Sequence, residues 1–169
     1  EISNTTIQNP PTVFAPYDEM RGDNSLHGFK LALINDTRDS AFLPTNGHYF
    51  EASGEAVTGS FVYPRVEADF RKYWLLSERA DHSGRHVISY ATNVGWMGDD
   101  APVYDRFYAG GFSTLRGFDF RGASPMEFVG GRWVEVGGIF QWLNSLQYLF
   151  PITADDMLHG VVFCDFGTV

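Results

Sequence analysis

Large apolar side chains alternate with polar side chains along several stretches of this chain, and this period of two constrains the fold more than any other feature. Residues 65–76 read RVEADFRKYWLL. One side of this stretch carries Val66, Ala68, Phe70, Trp74 and Leu76, and the other carries Arg65, Glu67, Asp69 and Arg71, with Lys72 alone among the apolar set. Because successive side chains of a β-strand point to opposite faces, the pattern predicts a strand.

The same pattern recurs along the chain. It is clear in residues 86–97 and 137–151, and weaker in residues 28–35, 48–59 and 160–169. The first residues, EISNTTIQ, are compatible with the end of a further strand. Most of the 18 glycines and 8 prolines lie between these stretches, where turns are expected. The sequence therefore predicts an all-β fold of about six antiparallel strands, in which one long loop occupies about residues 98–137.

The alternation alone leaves two architectures open. A soluble β-sandwich or a lipocalin-like binding module encloses its large apolar side chains, whereas a membrane barrel turns them outward to lipid. The sequence has no run of about 18 apolar residues, which a membrane-spanning helix needs, but barrel strands need only about 9 to 11 residues. Aromatic residues near the predicted strand ends, including Trp74, Trp96 and Trp142, are typical of interfacial girdles.

Charge and motif patterns argue against several functional classes. The net charge of −9, with no basic stripe, argues against nucleic acid as a partner. The sequence has no Gly-x-Ser-x-Gly elbow. His82 and His86 have a spacing that brings metal ligands together on a helix, but Ser83 and Gly84 between them indicate a turn. We therefore predict no catalytic residue, metal or cofactor, and we expect the single cysteine, Cys164, to be buried and inert.

A glycine-rich stretch in the long loop carries a family resemblance. FYAGGFSTLRGF resembles the signature loop of the outer-membrane β-barrel assembly family to which BamA belongs, through Phe107, Tyr108, Gly110, Gly111, Leu115, Arg116, Gly117 and Phe118. Three other stretches are similar to motifs of that family and stand in the family's order. They are the turn NDTRDSAFLPTNGHYF, the segment GGIFQWLNSLQYLFP and the strand VVFCDFGTV.

The resemblance implies that residues 1–169 are part of a single C-terminal barrel domain, preceded in the family by POTRA domains that this chain lacks. We expect a portion of a longer, non-enzymatic protein in a bacterial-type outer membrane. The family inserts unfolded β-barrel client proteins into that membrane, and its partners include outer-membrane lipid and accessory assembly lipoproteins. A two-partner-secretion exporter of the same superfamily is the alternative within the family.

The resemblance also gives Arg116 a role, because the family's long loop folds back into the barrel. A guanidinium away from bulk water needs an acidic partner, ideally in a bidentate pair. Asp165 is the best candidate, since a charge on the lipid side of its strand would be costly. Gln147 stands where the family usually has a glutamate, and it can accept a hydrogen bond without neutralising charge. We therefore expect Asp165 to be the main lumen partner of Arg116, and Gln147 a secondary one.

Overall fold

Antiparallel strands dominate the computed structural model, which describes residues 2–7, 22–153 and 157–169. The long connection between the strands His86–Met97 and Phe140–Pro151 contains a 3-10 helix, Val103–Asp105, and a small hairpin. In the described part of the chain the strands are β1 (Ile2–Ile7), β2 (Gly22–Asp36), β3 (Gly47–Gly59), β4 (Tyr63–Ser77), β5 (His86–Met97), β6 (Met126–Val129), β7 (Arg132–Glu135), β8 (Phe140–Pro151) and β9 (His159–Thr168).

Seven of these strands form one sheet in the order β1-β2-β3-β4-β5-β8-β9, and every neighbouring pair is antiparallel. The all-β prediction is confirmed. The sheet has one strand more than the expected six, because Ile2–Ile7 pairs with the first part of β2. Strands β6 and β7 form a separate two-stranded hairpin inside the long connection.

The two faces of the sheet differ sharply in chemistry. On the face that we call the outer face, apolar side chains stand in cross-strand rows, such as Leu33, Ala52, Ala68, Val94 and Trp142, and the large ones among them are exposed. On the opposite face, which we call the loop face because the long connection lies against it, the corresponding row runs through Asp36, Tyr49, Arg71, Ala91, Ser145 and Asp165. The large apolar side chains are thus not gathered inside a sandwich, and the soluble alternative is wrong.

The buried core lies where the long connection meets the loop face. Its largest cluster combines one residue from each of four strands with two residues from the connection, namely Leu26, Val57, Tyr63, Met97, Ala101 and Phe107. Tyr63 and Met97 are the largest fully buried side chains among those described. The connection is therefore a packed element of the fold.

Cys164 differs from the sequence expectation. We expected a buried thiol, but Cys164 is free and exposed. The reason is its register on β9, opposite Leu146, which places it on the outer face. No helix in the described residues is long and apolar enough to cross a membrane.

Candidate functional site

Glycines shape the tip of the long connection, which we define as residues 109–123. Gly110 has a φ of +112°, and a Cβ there would lie 2.5 Å from the backbone oxygen of Asp119. Gly111 and Gly117 also have positive φ values, of +95° and +94°. The amide of Gly111 donates to the carbonyl of Phe118 at 3.1 Å and closes the turn. Other residues adopt these backbone angles only under strain, so the glycines allow the tip its compact form.

An apolar contact fixes the depth at which the tip sits. Leu115 is buried against Ala109 and against Leu143 of β8. Phe118, three residues further along, is mostly exposed. Leu115 therefore anchors the tip to the sheet and places the next residue, Arg116, over strands β8 and β9.

Arg116 makes a bidentate ion pair with Asp165. Its Nε and Nη2 atoms donate to the two carboxylate oxygens of Asp165 at 2.6 Å each, and its backbone amide donates to Asp165 Oδ2 at 3.1 Å. The side chain of Asp165 is 3% exposed and that of Arg116 is 20% exposed. The side-chain hydrogen bonds with Asp165 raise the pKa of the Arg116 guanidinium above its usual range, so Arg116 is a permanent cation.

Ser145 of β8 and Phe163 of β9 complete this contact. Arg116 Nη2 donates to Ser145 Oγ at 2.9 Å, and the Arg116 Cζ atom lies 3.6 Å from the ring centroid of Phe163. A guanidinium stacked on an aromatic face gains a cation–π attraction. We call Arg116, Ser145, Phe163 and Asp165 together the Arg116 clamp.

Gln147 reaches the Arg116 clamp only indirectly. Its Nε2 atom donates to Ser145 Oγ at 3.1 Å, and Ser145 in turn accepts from Arg116. The register explains the difference from the sequence expectation, because Ser145 lies opposite Asp165 whereas Gln147 lies one row further, opposite Phe163. Ser145 thus occupies the place that we had predicted for Gln147.

A second contact holds the part of the connection that follows β5, residues 98–107, which we call its base. The sequence did not indicate this contact. Asp105 accepts a hydrogen bond from the Tyr63 hydroxyl, and its backbone carbonyl accepts from Arg65 Nη2 at 2.9 Å. The Arg65 Nη1 atom lies 3.4 Å from Asp105 Oδ1. We call Tyr63, Arg65 and Asp105 the Asp105 clamp. The one available signal was the acidic residue placed directly before the glycine-rich stretch.

Phe107 packs beside the Asp105 clamp in a space left by a glycine. The Arg65 Cζ atom lies 5.2 Å from the Phe107 ring centroid. A Cβ at Gly95 of β5 would lie 2.6 Å from the Phe107 ring, so no larger residue fits there unless the ring moves. The small side chains on the loop face of β5 therefore make room for the connection.

A polar cleft separates the tip from the middle of the wall. It has a volume of about 640 Å³, and its lining includes Asp69, Arg71, Asn93, Phe112, Arg116 and Asp165. A neighbouring cleft of about 390 Å³ is lined mainly by charged residues of β2, β3 and β4. Within the described residues, no group of three or more His, Cys, Asp or Glu side chains could hold a metal ion. The loop face is thus a polar surface around a docked loop.

A docked glycine-rich loop on the polar face of a sheet whose other face is apolar agrees with the family comparison. The Omp85 superfamily domain matches residues 2–169. The chain belongs to the Omp85 superfamily. It is 30% identical over 159 residues to the outer membrane protein assembly factor BamA of Nitratidesulfovibrio vulgaris, a match that covers 88% of this chain and 19% of that protein.

Eukaryotic relatives match as well. A SAM50-like protein of Schizosaccharomyces pombe is 29% identical over 142 residues, covering 80% of this chain and 29% of that protein. The sorting assembly machinery 50 kDa subunit of Saccharomyces cerevisiae is 29% identical over 103 residues, covering 58% of this chain and 21% of that protein. The chain thus spans less than a third of the length of each of these curated relatives.

A solved structure has the same fold. The crystal structure of BamA from Haemophilus ducreyi lacking POTRA domains 1–3 superposes with a TM-score of 0.75 at 20% sequence identity, covering 86% of this chain and 30% of that one. The described sheet therefore has the fold of an open segment of a BamA-like β-barrel. In barrels of this kind an apolar face is the one suited to lipid and a polar face the one suited to the interior, which correspond here to the outer face and the loop face.

Proposed function

We propose that this Omp85 segment is wall and interior loop of an outer-membrane protein assembly factor, which promotes the folding and insertion of β-barrel proteins into the membrane. The relatives named above support this proposal, because they are an outer membrane protein assembly factor and a subunit of the sorting assembly machinery. These relatives also favour assembly over polypeptide export by a two-partner-secretion protein. The factor carries out no bond chemistry on its clients.

The observation that carries the proposal is the Arg116 clamp. In hydrocarbon, each unsatisfied backbone group of an unpaired strand edge costs several kcal/mol. The strands of an assembly factor must therefore stay in place while strand edges exchange pairing partners. The connection leaves the wall after β5, contacts β4 through Asp105 and contacts β9 through Arg116. It therefore braces four neighbouring strands from inside the barrel.

We further propose the surroundings of this segment. Residues 1–169 form part of a single C-terminal barrel domain, and POTRA domains are supplied by other parts of the full-length protein. The location is a bacterial-type outer membrane, where the partners are lipid, unfolded β-barrel clients and accessory assembly lipoproteins. The motif residues Gly110, Gly111, Leu115, Arg116, Gly117 and Phe118 form the functional loop, with Asp165 and Gln147 on the wall.

The test is a client-folding assay with the full-length protein reconstituted in lipid vesicles. A urea-unfolded outer-membrane barrel is added, and its folded fraction is followed by its shift in electrophoretic mobility without heating. We expect faster folding than in empty vesicles, and loss of most of the acceleration in Arg116→Ala. Arg132→Ala, which removes an exposed arginine from the β6–β7 hairpin, is the matched control and should retain the wild-type rate. Equal rates with wild-type protein and with empty vesicles would contradict the proposal.

A further inference from the structure

Lys72 is a cation on the lipid-facing side of the wall. It lies on the outer face of β4 between Phe70 and Trp74, opposite His48 of β3 and Tyr90 of β5. Among the described residues, the outer faces of β3, β4, β5, β8 and β9 carry no carboxylate. The sheet itself therefore offers this ammonium group no opposite charge.

The polar neighbours of Lys72 are already engaged with other residues. The two ring nitrogens of His48 lie 2.9 Å from Asn35 Oδ1 and 2.9 Å from Thr37 Oγ1. The Tyr90 hydroxyl donates to Asn144 Oδ1 at 2.7 Å. In the described part of the chain, Lys72 has no hydrogen bond or ion pair, and neither does the indole N–H of Trp74. Two donors thus stand unsatisfied on one face of the same strand.

The position of Lys72 along β4 places it near one membrane surface. Trp74 lies two residues, or roughly 7 Å, further along the strand, towards the end opposite the long connection. Tyr148 stands beside Trp74 in this band, since both flank Ile88 of β5. Aromatic residues of barrel proteins collect at the lipid headgroups, and a lysine just inside such a band extends its ammonium towards them. A headgroup phosphate is the anion available at that depth.

We propose that Lys72 and the indole N–H of Trp74 bind the phosphate of an anionic phospholipid, in the leaflet at the wall end opposite the long connection. The ammonium neutralises the phosphate charge and the indole donates a hydrogen bond to a phosphate oxygen. This site is independent of the Arg116 clamp, which lies on the other face of the sheet. A lipid held there contacts β3, β4 and β5 and fixes their depth in the membrane.

The experiment uses the full-length protein in phosphatidylcholine vesicles that contain either brominated phosphatidylglycerol or brominated phosphatidylcholine. Bromine quenches tryptophan fluorescence at close range, and subtracting the signal of the Trp74→Phe protein isolates the contribution of Trp74. We expect phosphatidylglycerol to bind beside Trp74 about fivefold more strongly than phosphatidylcholine, as one cation near a membrane surface predicts. This preference should weaken in high salt.

The variants distinguish lipid binding at Lys72 from a general effect of the protein's charge. Lys72→Gln and Lys72→Leu should both lose the preference for phosphatidylglycerol, and Lys72→Arg should retain it. Lys30→Gln is the matched control, because it removes the same charge from the loop face. The leucine variant suits a lipid-facing position, so the loss remains measurable if the glutamine variant folds poorly. A wild-type preference in Lys72→Leu, or an equal loss in Lys30→Gln, would overturn the proposal. Neither result depends on client folding.

Discussion

Two ion pairs hold the long connection against the sheet, and the cation and the acid are on opposite sides in the two pairs. In the Arg116 clamp, the connection supplies the cation and β9 supplies the acid. In the Asp105 clamp, the connection supplies the acid, while β4 supplies a tyrosine and an arginine. Because the charges are reversed, neither end of the connection finds a matching partner at the other end's site. Charge complementarity thus fixes the order in which the connection lies across the sheet.

The two clamps also differ in what surrounds them. Asp165 is almost fully covered and binds Arg116 through two short bonds of 2.6 Å, beside a polar cleft. Asp105 is 30% exposed and stands 3.4 Å from Arg65, next to the main apolar cluster around Phe107. The tip is therefore held mainly by charge, and the base mainly by packing. Single substitutions should reveal this difference.

The largest expected effect is at the packed base. Phe107→Ala removes a buried ring and should lower the free energy of opening the base by about 4 kcal/mol. The measurement is hydrogen exchange of the Gly138 amide, which bonds the Phe107 carbonyl at 2.9 Å, in the full-length protein in a lipid bilayer. Phe112→Ala is the control, since Phe112 is 93% exposed and should change little. Similar exchange in the two variants would contradict the assignment of the base to packing.

The next effect is at the tip. Asp165→Ala leaves Arg116 without its acid in a largely covered position, and should lower the free energy of opening the tip by about 3 kcal/mol. Exchange of the Gly111 and Ala123 amides, which bond the Phe118 and Ala109 carbonyls, reports this opening. Glu51→Ala removes another acid of the loop face, which bonds Tyr49, and should leave these amides protected. Unchanged tip exchange in Asp165→Ala would show that charge does not hold the tip.

A smaller effect is expected when the charge of the base clamp is removed. Asp105→Asn keeps the shape of the side chain but loses the ion pair with Arg65, so protection of the Phe107 amide should fall by about 2 kcal/mol. Asp99→Asn, on an exposed acid of the same connection, is the control. If Asp105→Asn destabilised the base as much as Phe107→Ala does, charge and packing would contribute equally there.

The smallest effect is expected at Gln147. Gln147→Ala removes one hydrogen bond to Ser145 and leaves the Arg116–Asp165 pair intact, so the tip should lose less than about 1 kcal/mol of protection. The same Gly111 and Ala123 amides provide the measurement. A loss equal to that of Asp165→Ala would place Gln147 among the direct supports of Arg116.

Local patterns in the sequence were sufficient for part of this structure. Alternation in residues such as Val66 to Leu76 identifies strands, because each side chain's face depends only on its position along the backbone. The motif around Arg116 and the single acid of β9 indicated the pair that the structure brings together. The Asp105 clamp and the role of Ser145 were not predicted from the sequence, because they depend on which residues of different strands lie opposite one another, at separations of up to 42 positions.

The sequence by itself determined that this chain forms antiparallel strands, that one connection is long and glycine-rich, and that the Omp85 motifs stand in order. These properties follow from local backbone preferences and residue spacing. Only the tertiary structure decided which face of the sheet is apolar and exposed, where the connection docks, and that Lys72 stands on the outer face with no partner among the described residues. Each of these properties depends on contacts between residues far apart in the sequence. An alternating pattern is the same whichever face of the sheet is turned outward.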